Sequence, residues 1–397
     1  MVQAIYKCRA CGSPDLIDIL DLGDQYLSDF RRDNKKPPKY PLVIIICNEC
    51  KLVQLRHTTP PSDMYHERYG FKSGINEVIK ADLGEVVDLA FQYNNDPQTW
   101  LDIASNDGTL LSFVPEDIYR VGVDPVRFLC EEAREHADVI VNDYFSADVG
   151  GEYDVITSVS CFYDMPDPNQ FVRDVNDVLA DGGVWIIQQN YLLTTIQLSA
   201  VDNFCHEHLE YYTLYSLERL LHRFGLEINS VLTSPINGGS IRAVVTRVGT
   251  FEVDDSVHKQ RAIEEKYGIV ELETYIEFSK RATKSLLELV RLVRSLKRQG
   301  KSIHILGAST RGSTIWQAAK IDERYIDYVV ERNPAKVGAM FSAIGVRIIG
   351  EEQCRHLGPD YMLIGPWFLA ESIMERERPF MKQGAHFILP LPKVQVI

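Results

Sequence analysis

Two Cys-x-x-Cys pairs, Cys8/Cys11 and Cys47/Cys50, stand at the front of the chain with 35 residues between them. This feature constrains the first sixty residues most, because each knuckle presents two thiolates to one ion. Two matched knuckles supply four sulfur ligands and leave no open position, which predicts a closed, structural zinc site. A disulfide framework is the poorer reading in a chain of 397 residues whose other cysteines, Cys130, Cys161, Cys205 and Cys354, are scattered singly. The opening MVQAIYKCRAC lacks a basic run followed by an apolar core, so a cytoplasmic location is expected. No run approaches the ~18 apolar residues of a membrane span. A zinc ribbon also suits nucleic acid, but 42 basic against 56 acidic side chains give a formal charge of −14, which predicts no nucleic-acid partner.

At roughly 100–200 residues per domain, the length predicts two or three domains. Residues 1–60 read as a zinc-binding domain and 61–98 as a linker with a helical lid, the helix being the 3.6-period pattern of Val78, Ile79, Leu83, Val86, Val87 and Ala90. From 99 to 250, apolar strands (99–103, 120–123, 139–142, 153–158, 183–189) alternate with helices (127–136, 168–179), which predicts a parallel sheet. Strands at 226–232 and 240–246 flank Asn237-Gly238-Gly239, a hairpin signal. A parallel sheet closed by a hairpin is what class I methyltransferases have, an analogy of fold only. One long helical stretch, 256–299, connects to a second βα alternation in 301–397. The fold class expected is therefore α/β: an N-terminal zinc-binding domain, a Rossmann-like methyltransferase domain (99–250), connecting helices (251–300) and a C-terminal Rossmann-like domain.

Three segments carry chemistry. In Trp100–Thr109 a strand enters a small, polar turn, where Asp102 is placed to meet an ammonium group and Ala104, Ser105, Asn106 and Asp107 to approach a ligand. Asp124-Pro125 ends the second strand, where an acid suits ribose hydroxyls. Two acidic strand ends without G-x-G-x-x-G favour S-adenosylmethionine over NAD, since no pyrophosphate needs cradling. Asn142, Asp143 and Tyr144 are placed for the adenine, and Ser158, near the end of the fourth strand, joins the cofactor set. The segment Phe204-Cys205-His206-Glu207-His208-Leu209-Glu210-Tyr211-Tyr212 does not satisfy HExxH. Its histidines read as a carboxylate-oriented general base, as metal ligands lacking a third partner, or as a polar cap. Leu306–Thr314 is again strand, small turn and helix start. Ser309, Thr310 and Arg311 suit a phosphate and Glu331 a hydroxyl-bearing ligand, unless the fold there only packs.

Taken together and in this order, these segments, with Gly70–Asn76 and Gly238-Gly239-Ser240, resemble the zinc-containing sugar C-methyltransferases, such as the TDP-sugar C-3' methyltransferases of deoxysugar pathways. The resemblance spans essentially the whole chain. It implies action on a nucleotide-linked 4-keto sugar, with S-adenosylmethionine as methyl donor and zinc as a structural ion; a monomer is expected. It makes His208 the base that forms an enolate and Glu207 its partner. Tyr65, Tyr69, Lys72, Asn76, Asn190, His206, Ser309, Thr310, Arg311 and Glu331 become candidate substrate contacts. Cys205 stands where the family usually has an active-site tyrosine, for which Tyr211 or Tyr212 is a candidate replacement. Lys72 replaces a common arginine. Ala104 replaces a glycine, which is compatible with a negative φ. The competing readings are an O- or N-methyltransferase with the same cofactor fold, and a non-catalytic zinc-ribbon interaction protein.

Overall fold

A computed structural model describes residues 2–33, 35–66, 70–381 and 384–397. Tyr69 lies outside the described residues. Residues 1–60 contain strands and no helix among those described. The β-branched run in Lys39–Cys47 forms the middle of a small antiparallel sheet between Leu16–Tyr26 and Val53–Leu55. Its outer strand, Glu210–Tyr211, comes from the HEH segment and pairs with Val53–Leu55.

The second sheet has seven strands. In spatial order they are Leu226–Ser234, Ser240–Arg247, Leu179–Asn190, Tyr153–Val159, Thr99–Ile103, Tyr119–Val123 and Val139–Val141. Ser240–Arg247 runs antiparallel between its two neighbours and the remaining pairs are parallel. The order reverses between Thr99–Ile103 and Tyr153–Val159, so a ligand crevice opens at their carboxyl ends. The helix Glu77–Tyr93 begins at Asn76, whose side chain accepts the Val78 N–H at 3.0 Å. Its Leu83, Val86, Val87 and Ala90 pack on Trp100, Val155, Ile186 and Val244, each buried Val or Leu contributing about 1.5–3 kcal/mol. Across the sheet, Pro168–Val178 is capped by Asp167 and packs through Phe171, Val172 and Val175.

The helical stretch expected over 256–299 is two helices, Asp255–Tyr267 and Leu272–Arg298. Gly268 adopts φ 76° and ends the first in a left-handed cap, which a glycine reaches without steric cost. The C-terminal domain is built on parallel strands in the order His386–Leu389, Tyr361–Ile364, Ile303–Leu306, Tyr328–Glu331 and Val346–Gly350. Phe30–Arg31, from the zinc-domain side, extends that sheet by pairing with Met340–Phe341. Strands exchanged in sequence thus tie the zinc-domain segment to both the methyltransferase and the C-terminal sheets. No helix among the described residues is long and apolar enough to cross a membrane.

Candidate active site

The four cysteines of the two knuckles converge, with Sγ atoms within 4.8 Å of one another and the Cys8–Cys50 and Cys11–Cys47 pairs at 3.5 Å. Zn–S bonds of about 2.3 Å require tetrahedral edges near 3.8 Å, so this donor set fits a structural zinc ion. Each knuckle closes the same way, Gly12 N–H on the Cys8 carbonyl and Lys51 N–H on the Cys47 carbonyl, both at 2.9 Å with positive φ. Gln54 Nε2 donates to Cys8 Sγ at 3.1 Å. The first knuckle docks on the methyltransferase sheet's helices: Asn169 and Arg223 donate to the carbonyls of Arg9 and Ala10.

At the crevice, the turn after Thr99–Ile103 winds through left-handed residues Ala104 (φ 60°), Asn106 (52°) and Gly108 (78°). Ala104 therefore does not have the negative φ expected from the sequence, and its methyl group costs roughly 1 kcal/mol there. Gly108 lets the turn press on the Ala133 backbone, where a Cβ would stand 2.8 Å from its Cα. Asp124 Oδ2 accepts the Asn106 N–H at 3.0 Å and Oδ1 the Val126 N–H at 2.8 Å, so this acid shapes the turn as well as facing it. The Asp102 carboxyl accepts the Thr157 hydroxyl, and burial pushes its pKa up to about 7. Asn106 and Asp107 accept the backbone N–H groups of Ser73 and Gly74, fastening residues 70–76 over the turn. The cleft between them is lined by Phe71, Asp82, Asp102, Ser105, Asn106 and Gln188. Ser105 Oγ is buried without a partner. An orphan hydroxyl, a close-approach turn and acidic walls fit the ammonium and hydroxyls of S-adenosylmethionine.

The remaining cofactor candidates are spread around this turn. Asn142 donates to the Asp124 carbonyl at 3.0 Å, Asp143 caps the Tyr144 N–H, and Tyr144 is exposed. Pro125 is half-buried beside Asp124. Ser158 is enclosed in the core, where its hydroxyl accepts the Trp185 indole N–H at 2.9 Å.

The HEH segment crosses the carboxyl edge of the same sheet. His208 Nδ1 lies 3.1 Å from the Asn203 carbonyl and its ring 4.3 Å from that of Tyr163. A carbonyl can only accept, so Nδ1 carries the proton and Nε2 keeps its lone pair. Burial, then Arg311, lowers the His208 pKa to about 3, so the ring is neutral. Its orienting partner is thus Asn203, where the sequence suggested Glu207. The Glu207 carboxylate instead takes the Cys205 thiol, and burial raises its pKa. Tyr211 donates to the His208 carbonyl at 2.8 Å. His206 faces the zinc-domain sheet, Nε2 at 3.1 Å from the Tyr40 carbonyl.

Among the substrate candidates, Asn190 is buried with Oδ1 unpartnered, and Tyr65 donates to Asp164 at 2.9 Å. Lys72 pairs with Glu132, while Asn76 caps its helix at the surface. In the C-terminal domain Ser309 caps the helix Thr310–Ala318, and Glu331 gathers the N–H groups of Ala308, Arg332 and Asn333. Arg311 is committed to Asp202 through Nε at 3.0 Å and Nη2 at 2.6 Å, and its ring-facing plane lies over Phe368. Its partner sits too far off in sequence for spacing to reveal it. The sequence reading missed Asp164, Asn203 and Gln189. Asp164 follows the fourth strand as Asp102 and Asp124 end theirs, so the same strand-end rule applies to it.

Three family models tile the chain: a zinc binding domain over residues 8–65, a methyltransferase domain over 75–231, and a C-methyltransferase C-terminal domain over 235–392. C-methyltransferase NovU of Streptomyces niveus is 29% identical over 413 residues, covering 100% of this chain and 98% of that one. Among solved structures, the plantazolicin methyltransferase BpumL with SAH is 16% identical over 42% of this chain and 83% of its own, at a TM-score of 0.35. PH0226 from Pyrococcus horikoshii OT3 is 16% identical over 45% and 94%, at 0.37; likeness so slight carries no weight. The four-thiolate knuckles, the acid-walled turn and the relative matched end to end converge on one assignment. This chain is an S-adenosylmethionine-dependent methyltransferase that carries, in order, the zinc-binding, methyltransferase and C-methyltransferase C-terminal domains.

Proposed function

We propose that the substrate is a nucleotide-linked 4-keto deoxysugar and that the chain methylates the carbon beside its ketone. The observation that carries this reading is the state of His208: Nδ1–H fixed on the Asn203 carbonyl and a neutral ring with Nε2 available to take a proton. A ketone acidifies its α-proton, and removal of that proton by Nε2 gives an enolate. The negative charge growing beside the ring offsets the burial penalty on the imidazolium. When bound, S-adenosylmethionine supplies the electrophilic methyl group, and the acid-walled turn aligns it with the carbon nucleophile. Asn190, Tyr65 and the turn at 307–313 are the proposed contacts for sugar and nucleotide.

The test incubates a panel of nucleotide 4-keto-6-deoxy sugars in heavy water, with and without S-adenosylmethionine, and reads mass. One methyl gained with the cofactor, and α-deuterium without it, is expected for a substrate. Methyl gain without exchange would move the reaction to an oxygen or nitrogen.

A further inference from the structure

Asp164 lies one residue beyond Tyr163, the residue whose ring packs on His208 and whose carbonyl accepts the Leu209 N–H at 2.8 Å. Its Oδ2 accepts the Tyr65 hydroxyl at 2.9 Å, while Oδ1 is buried and has no hydrogen-bond partner. A buried carboxylate oxygen without a donor is costly, so this oxygen is better accommodated as an O–H that awaits an acceptor. Burial raises Asp164 and Glu207 alike, and Glu207 and Glu210 act on Asp164 as like charges, all of which favours a protonated carboxyl there. A second polar side chain on this side of the sheet also lacks a partner. Gln189 is fully buried with neither amide atom bonded. Strand alternation puts it on the same sheet face as Trp185, which packs on Phe162 beside Asp164. Of the nearby phenols, Tyr211 is engaged on the His208 carbonyl and Tyr65 on Asp164 itself, while the buried Tyr212 hydroxyl, whose ring stacks on Phe162, is a second unpartnered polar group here.

We propose that Asp164 is a second catalytic group of this site, whose Oδ1–H hydrogen-bonds the substrate's ketone oxygen while His208 removes the α-proton. This rests on the enolisation proposed above. As the C–H pair becomes the C=C bond, the carbonyl π pair moves onto oxygen, where the Asp164 proton stabilises it. When that carbon bonds to the methyl group, the carbonyl re-forms, the sulfonium becomes a thioether and Asp164 keeps its proton. The proton on His208 leaves to solvent.

The experiment measures α-proton exchange in heavy water for wild type, Asp164→Ala and Asp164→Asn, without S-adenosylmethionine. Calorimetric S-adenosylmethionine binding serves as the check on folding. Removing one oxyanion donor is worth about 100-fold or more. Asp164→Ala should therefore slow exchange by about 100-fold with substrate KM within about threefold in the full reaction. Asp164→Asn keeps a donor of the same shape and should recover exchange to within about tenfold of wild type. Infrared difference spectra at neutral pH should show a protonated-carboxyl band in wild type that Asp164→Asn lacks. Wild-type exchange in Asp164→Ala, or no such band, overturns the proposal while leaving enolisation standing. A wild-type protein that exchanges no α-proton overturns both.

Discussion

Replacing Arg311 by alanine tests whether its guanidinium serves the fold or the substrate. Asp202 is 1% exposed and Arg311 13% at the side chain. Asp202 Oδ2 receives Arg311 Nε and Nη2 and the Trp367 indole N–H at 3.0 Å, while Oδ1 receives nothing. Breaking a buried pair from one side strands the remaining charge and costs about 3–5 kcal/mol. Trp367 still donates after the change, so the lower end, about 3 kcal/mol, is expected. The loss should show in urea denaturation, read on the transition of the C-terminal sheet if that melts separately. In a double-mutant cycle with Asp202→Asn, most of the cost should disappear, because the neutral amide is not stranded. A cost below about 1 kcal/mol, together with a rise in KM for the nucleotide sugar, would falsify the clamp and return Arg311 to the phosphate.

Removing zinc with a chelator should release one ion per chain and speed hydrogen exchange at Val53–Leu55 and Glu210–Tyr211 together, since these strands pair; unaltered protection at 210–211 would show that the HEH strand stands without the knuckles. Burial lowers the pKa of His206 to about 4, of His208 to about 3 and of His304 to about 4. Between the unfolded value near 6.5 and those folded values the unfolded chain binds more protons, so this contribution to stability is present above pH 6.5 and lost as pH falls. His206→Gln should lose less stability than wild type between pH 7 and pH 5 in chemical denaturation, and parallel losses would refute it.

The knuckles, the strand-end acids and the Asn-Gly hairpin were legible because each is a local rule: fixed spacing, a period or a turn residue. The break at Gly268 was not read: the stretch holds no proline, and the left-handed glycine that ends the first helix was not weighed as a stop. What lay beyond reach is non-local. His208 takes its orientation from a backbone carbonyl, and every residue has one, so Asn203 carries no sequence signal. Arg311 looked like an anion ligand because its helix start is built like one, and only the fold brings Asp202 to it. Asp102 and Asp124 end their strands as expected, yet that Asp124 also braces the turn depends on a left-handed Asn106 that composition does not announce.

The outer strand of the zinc-domain sheet is read from the messenger roughly 150 residues after the strand it joins. A ribosome therefore releases the knuckles long before their sheet can be completed, and Val53–Leu55 waits as an open edge until the methyltransferase strands have formed. Amino-terminal truncation would leave the mirror-image problem, a loose Glu210–Tyr211 next to the reactive histidine. The metal-bearing sheet is thus begun before the methyltransferase strands are made and completed only with them.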